Sequence, residues 1–306
     1  MFLISERLEL LKKYKPLEFN RKPRTLAELA RWKATEFRTF LVYVGPVVLE
    51  NIVNLAVYEH FLLLYCAITI FLSSRHISVV GINIPSKFLD VFITHSVKIY
   101  GAEFFVHNVH ALCHLEEEVK AYGPLDEISS FPFENYLGHL KRLVRSPVNP
   151  AAQIYRRIKE KSNITEAVSL LQQNVPQHFG QHTIGPVMSE LNICKKVVFG
   201  NFTFCTKNHS SADSYFISTD HKVVQVENII TNSENCTILI GKEFMDYSDY
   251  YNYPFESSCL DIFIIRSLDN VNQFWPINKI LAKCLVIPSY RKQKELVCFP
   301  LVHSLC

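Results

Sequence analysis

The residues best suited to chemistry lie between positions 107 and 145. In "HNVHALCHLEEEVK" His107, His110, His114 and Glu117 follow one another at spacings of three, four and three, which places all four along one face of a helix. Two imidazoles four residues apart, such as His110 and His114, converge on one point and are a common way for a helix to hold zinc. Tetrahedral zinc needs further ligands, and the sequence contains no C-x-x-C. Downstream, "FPFENYLGHLKRLVR" carries Glu134, then Lys141, Arg142 and Arg145. A glutamate in a first helical turn is favoured by the helix dipole without any catalytic role. The three bases suit either a phosphate backbone or a solvated helix face. As residues alone, the histidines read as a structural stripe and Glu134 as a helix-start acid.

Such residues need helices to position them, and the first half reads helical. In "TLAELARWKATEFRTFLVYVG" Thr25 and Glu28 have capping-box spacing. Leu26, Leu29, Ala30, Trp32, Phe37, Phe40 and Leu41 then recur at mixed three-to-four spacing, predicting one well-buried helix ended or kinked at Gly45-Pro46. "NIPSKFLDVFITHSVKIYG" predicts a helix of about four turns, with Pro85 and Ser86 at its start and Gly101 at its end. Residues 102–122 predict another, closed by "YGP". In "PFENYLGHLKRLVR" Pro132 is tolerated in the first turn, and Phe133, Tyr136, Leu137, Leu140 and Val144 form the expected inward stripe. A last helix starts near Pro150.

The pattern then changes. "LLQQNVPQHFGQHTIGP" is amide-rich and broken by Pro and Gly, as a linker is. Beyond it "KKVVFGNFTFCT", "DSYFISTD", "HKVVQVENII", "CTILIGKEF", "CLDIFIIRSL", "KCLVIPS" and "ELVCFPLV" are short β-branched and aromatic runs between polar turns, the spacing of a small antiparallel barrel or sandwich. The expected class is therefore α+β: a helical region over 1–165, a linker over 166–190 and a β-rich domain over 191–306.

Composition excludes little. The hydrophobic share of 48% and net charge of +3 are ordinary, and no P-loop, G-x-G-x-x-G or G-x-S-x-G occurs, so no small-molecule substrate is evident. Charge is clustered instead: residues 1–38 hold ten Lys/Arg against five Glu, and residues 141–161 seven against one. Within "FLVYVGPVVLENIVNLAVYEHFLLLYCAITIFLSS" Glu50, Asn51, Asn54, Glu59 and His60 leave too short an apolar run to span a bilayer, so buried core helices and no membrane are expected. "MFLISERLELLKK" does not read as a signal peptide. Nine scattered cysteines suggest free thiols in a reducing, intracellular compartment. Sequons at Asn163, Asn201, Asn208 and Asn235 are then chance matches.

Several stretches carry a resemblance. "ISERL", "RKPRTLAELARWKATEFRTFLVYVGPVVL", "HFLLLYCAI", "YGAEFFVHNVHALCHLEEEVKAYGPLDEISSFPFENYLGHLKRLVR" and "ADSYFISTDHKVVQVENII" resemble the C-terminal half of CACTA-type (En/Spm-like) cut-and-paste transposases of animals. "RWKATEFR" and "FPFENYLGHLKR" are the most specific segments, and the β-rich tail looks like the family's accessory domain. The resemblance implies the remnant of an RNase H-like core with a helical insertion. In an intact family member two aspartates and a glutamate hold Mg or Mn ions that activate one oxygen and stabilise another during DNA strand transfer. It makes Glu134 the third carboxylate, and His110 and His114 half of a zinc site otherwise completed by a C-x-x-C.

The two aspartate-bearing strands find no counterpart, and Asp90 and Asp126 match neither aspartate. One carboxylate cannot hold two metal ions. The expectation is a truncated, transposase-derived nuclear protein that does not cleave DNA alone, with DNA (through Lys141, Arg142 and Arg145), full-length transposase or a second copy as partner. Two alternatives stay open: a fragment of a longer active transposase, and a non-catalytic protein-interaction module. A core cut through its sheet is also expected to expose apolar helix faces such as "HFLLLYCAITIFL".

Overall fold

Helix starts and stops in the first half follow local chemistry. The computed structural model describes residues 2–165, 175–183, 192–231 and 236–302. Helices α1 (Phe2–Leu11), α2 (Ala34–Thr39) and α3 (Gly45–Leu49) precede α4 (Leu55–Phe71), α5 (Ser74–Val80) and α6 (Asn83–Tyr100). The side chain of Asn54 accepts the Ala56 N–H at 2.9 Å, and Ser73 accepts that of His76 at 3.4 Å, so α4 and α5 each begin on a capping oxygen. Gly101, at φ +91°, ends α6 in the left-handed region that glycine enters without penalty. After it come α7 (His107–His110), α8 (Leu115–Tyr122), α9 (Leu125–Ile128), α10 (Phe131–Leu143) and α11 (Pro150–Thr165).

Three sequence expectations need correction here. The helix expected from Thr25 is two pieces: a tight 3-10 segment, Leu26–Arg31, and α2 beyond an extended Trp32. Thr25 makes no side-chain cap. Glu36 takes that place, accepting the Lys33 N–H at 2.9 Å while paired with Arg24 at 2.6 Å, and that arginine holds the Glu36 carboxyl below the usual carboxylate range. Trp32 is buried between Phe37 and Phe40, with ring centroids 5.3 and 5.7 Å away. Gly45-Pro46 does not end the helix. The chain passes from α2 through a π segment, Phe40–Val44, into α3. Pro46 has no N–H to donate, which a wider turn accommodates, and a Cβ on Gly45 would lie 2.5 Å from the ring of Phe61 on α4.

The helix expected over 102–122 is likewise broken. Phe104 folds back on α6, its ring 4.5 Å from Tyr100, and Val106 is extended. The residues after α7 form a 3-10 turn, Ala111–His114, before α8 begins. The third correction concerns α10. Phe133, Tyr136 and Leu137 are 71%, 55% and 63% exposed, so the expected inward stripe faces out. The helix is anchored instead through Leu143 near its end, which is buried.

The second half is antiparallel throughout, as its spacing predicts. Its strands are β1 (Gln177–Gln181), β2 (Asn192–Phe199), β3 (Phe202–Cys205), β4 (Tyr215–Ser218), β5 (Val223–Thr231), β6 (Thr237–Asp249), β7 (Phe263–Leu268), β8 (Gln273–Pro276), β9 (Ile280–Pro288) and β10 (Leu296–Pro300). Pairing runs β5–β4–β9–β10–β7–β6 and returns to β5, so six strands close into a barrel. The thirteen-residue β6 makes closure possible by pairing β5 and β8 with its first half and β7 with its second. β1 falls inside the expected linker: it pairs with β2, Gln177 opposite Val198. The rest of the linker, apart from neighbours of β1, lies outside the described residues.

The two halves share a core. Alternation along β9 sends Cys284 and Val286 into the barrel, with Phe244, Ile265 and Cys298, and sends Leu285 and Ile287 outward. The outward face, with Ile264, Val297 and Phe299, packs against Val47, Leu62, Tyr65, Cys66 and Ile70 of the helices. The expected exposure of "HFLLLYCAITIFL" is thereby overturned: the barrel wall covers Tyr65, Cys66 and Ile70, while Leu89 of α6 and Val119 of α8 cover Phe71, and all four are fully buried. No single helix among the described residues is long and apolar enough to cross a membrane.

Two buried ionic ties cross the junction. Lys283 of β9, with no exposed surface, donates to Glu18 at 2.7 Å, to Asp213 at 2.6 Å and to the Thr203 carbonyl at 2.6 Å. Glu50, after α3, accepts from Arg291 at 2.5 Å and from the Tyr250 hydroxyl at 2.9 Å.

Candidate nucleic-acid interface

Glu134 sits in the first turn of α10, its N–H donated to the Ser130 carbonyl at 3.0 Å and its side chain exposed. Lys141 and Arg142 lie two turns along the same helix and Arg145 just beyond its end; all three are exposed. A sharp return follows: Gln153 of α11 accepts the Arg145 N–H at 3.0 Å and donates to the carbonyls of Ser146 at 2.9 Å and Val148 at 2.6 Å. One amide side chain thus sets the geometry of the α10–α11 hairpin, and α11 brings exposed Arg156 to the same unit. None of these four bases is in an ion pair among the described residues, so each is available to an anion.

The start of α10 is held by a residue of α2 with no chemical signal of its own in the sequence. Arg38 of α2 forms an ion pair with Asp126 of α9, and its guanidinium lies 5.1 Å from the centre of the Phe131 ring. The two most distinctive segments of the sequence, "RWKATEFR" and "FPFENYLGHLKR", therefore meet in space. Their co-occurrence was the only sequence signal for that contact.

The histidines are less organised than a continuous helix would make them. His110 and His114 stand with ring centroids 5.5 Å apart and planes at 86°, and they and His107 are exposed. Among the described residues no group of three His, Cys, Asp or Glu side chains is placed to hold a metal ion. The donor set beside Glu134 accordingly does not fit a two-metal centre, and two solvent-facing imidazoles do not by themselves fit tetrahedral zinc.

Comparison with known proteins places two family models end to end on the chain. Residues 72–181, from the end of α4 through β1, match a domain of unknown function, DUF4218. Residues 181–301, from the end of β1 to just past β10, match a second domain of unknown function, DUF8592. No curated protein and no solved structure matches the chain. The histidines, Glu134 and the basic hairpin all fall within the first of these two stretches.

Proposed function

We propose that this chain is a transposase-derived protein that binds DNA through the α10–α11 hairpin in the nucleus and does not cleave it alone. One observation carries the reading: Lys141, Arg142, Arg145 and Arg156 are exposed on one helical hairpin and have no carboxylate partners among the described residues, the arrangement in which cations exchange bound counterions for phosphates. The family assignment draws support from the DUF4218 match, since that domain is often found in plant transposase-like proteins. The reading of no cleavage rests on chemistry: activating one oxygen while stabilising another requires clustered carboxylates, and the family resemblance finds only one of the three here, Glu134.

A second reading has its own observation. Phe133, Tyr136 and Leu137 are exposed on the hairpin, an apolar patch that suits a protein partner such as an intact transposase or another copy of this chain.

Binding of a labelled duplex by the unaltered chain and by a Lys141→Glu, Arg142→Glu, Arg145→Glu variant separates the two. DNA binding predicts affinity weaker by about tenfold or more in the variant with an unchanged melting temperature, as the three side chains are exposed. Equal affinity would refute the hairpin as the DNA contact.

A further inference from the structure

A cavity of about 170 Å³ lies against the start of α10. Its lining combines Arg21, Arg38, Thr35 and Thr39 with the aromatic rings of Tyr43 and Phe131. Glu18 also reaches the wall, but both its oxygens are engaged, one by the Thr203 N–H at 2.9 Å and the other by buried Lys283 at 2.7 Å. The loop that forms this side, "KPLEFNRKPR", carries four bases against that one acid. Its path is fixed by Lys15, which donates to the Pro16 and Phe19 carbonyls. Arg21 is exposed and has no ion-pair partner among the described residues, whereas Arg38 is held over Phe131 by Asp126.

We infer that this cavity is a nucleotide subsite, taking one phosphorylated nucleotide of a single strand. The physical reasons are three. The wall has a surplus of positive charge, carried by the Arg21 guanidinium, a fork of the kind that recognises phosphate. It offers the half-buried Thr35 hydroxyl and the half-buried ring of Phe131, an aromatic surface of the kind on which bases stack in single-strand recognition. And it has room for a ring as well as an anion. Phe131 and Lys141 are ten residues apart on one helix, about 15 Å along its axis, so a strand entering the cavity continues along the basic hairpin. The inference rests on the nucleic-acid reading for its ligand class but uses different residues, and the two fail separately.

Calorimetric titration of the whole chain with thymidine monophosphate, thymidine and inorganic phosphate tests it. The monophosphate binds, thymidine does not, and phosphate competes more weakly than the nucleotide. Arg21→Ala and Thr35→Val each weaken monophosphate binding, the arginine change by about tenfold, with melting temperatures unchanged. The triple hairpin variant leaves monophosphate binding intact even where it abolishes duplex binding. Failure of the unaltered chain to bind the monophosphate, phosphate binding as tight as the nucleotide, or indifference to both Arg21→Ala and Thr35→Val would each overturn the subsite.

Discussion

Glu134 occupies the position at which the family resemblance puts a catalytic carboxylate, yet its surroundings are those of a helix-start acid. Its side chain is exposed, and its nearest functional neighbours along the helix are bases, Lys141 and Arg142. A single carboxylate in water binds divalent ions weakly and cannot hold two of them a few ångströms apart. Incubation with supercoiled plasmid and magnesium or manganese should therefore leave the plasmid closed, for the unaltered chain and for Glu134→Ala alike. Metal-dependent nicking lost in Glu134→Ala would mean that the missing acids are supplied by the chain after all. What the sequence offered at this scale was residue type, not environment. The histidine spacing of three and four assumes an unbroken helix, whereas α7 gives way after His110 to a 3-10 turn, so that His110 and His114 stand on successive short turns. Arg38 escaped selection because its partners, Asp126 and Phe131, are some ninety residues away, and nothing local announces an ion pair that distant.

Among elements, strands were more legible than helices. Runs such as "KCLVIPS" and "ELVCFPLV" are buried on both faces, which makes them continuous apolar runs with turn residues at each end. Strand spacing leaves barrel and sandwich both open, and the choice falls to closure because β6 is long enough to pair with β5 and β7 at once. The helix expected from Thr25 divides because the residues on either side of Trp32 share one apolar periodicity while belonging to two segments. Nor does composition reveal Lys283, a lysine in the middle of a buried strand. Its Nζ joins the loop at Glu18, the turn at Asp213 and β3. Lys283→Met leaves two buried carboxylates facing each other without a cation and should cost about 3–5 kcal/mol, read from chemical denaturation. Adding Glu18→Gln and Asp213→Asn should recover most of that loss, because the cost lies in uncompensated charge. A Lys283→Met variant as stable as the unaltered chain would show that the tie carries no stability.

At the scale of the whole molecule, the outer wall of the barrel acts as the floor on which the first helices fold. Val47, Leu62, Tyr65 and Ile70 bury against Leu285, Ile287, Val297 and Phe299, so the secondary-structure boundary near residues 166–190 is not a boundary in the core. Two histidines sealed inside the helical part make this core sensitive to acid. His60 accepts from the Tyr100 hydroxyl at 3.2 Å and donates to the Phe92 carbonyl at 2.7 Å, and His76 faces the Thr69 carbonyl. Burial lowers the proton affinity of both below the ordinary histidine value of 6.5. A depressed folded-state value means the unfolded chain binds protons first. Stability is thus complete above about pH 6.5 and declines as pH falls through the folded values. Melting temperature should drop from pH 7.5 towards pH 5.5, and His60→Gln should flatten that drop. An unchanged pH profile in His60→Gln would remove His60 from the account.

The salt dependence of DNA affinity tests the central claim most directly. With three to four phosphates neutralised by Lys141, Arg142, Arg145 and Arg156, the logarithm of the association constant for a duplex should fall against the logarithm of salt concentration with a slope of about −3 to −4. The Lys141→Glu, Arg142→Glu, Arg145→Glu variant, which keeps only Arg156, should bring that slope to about −1. A flat line for the unaltered chain, or no binding at the lowest salt, would contradict the account.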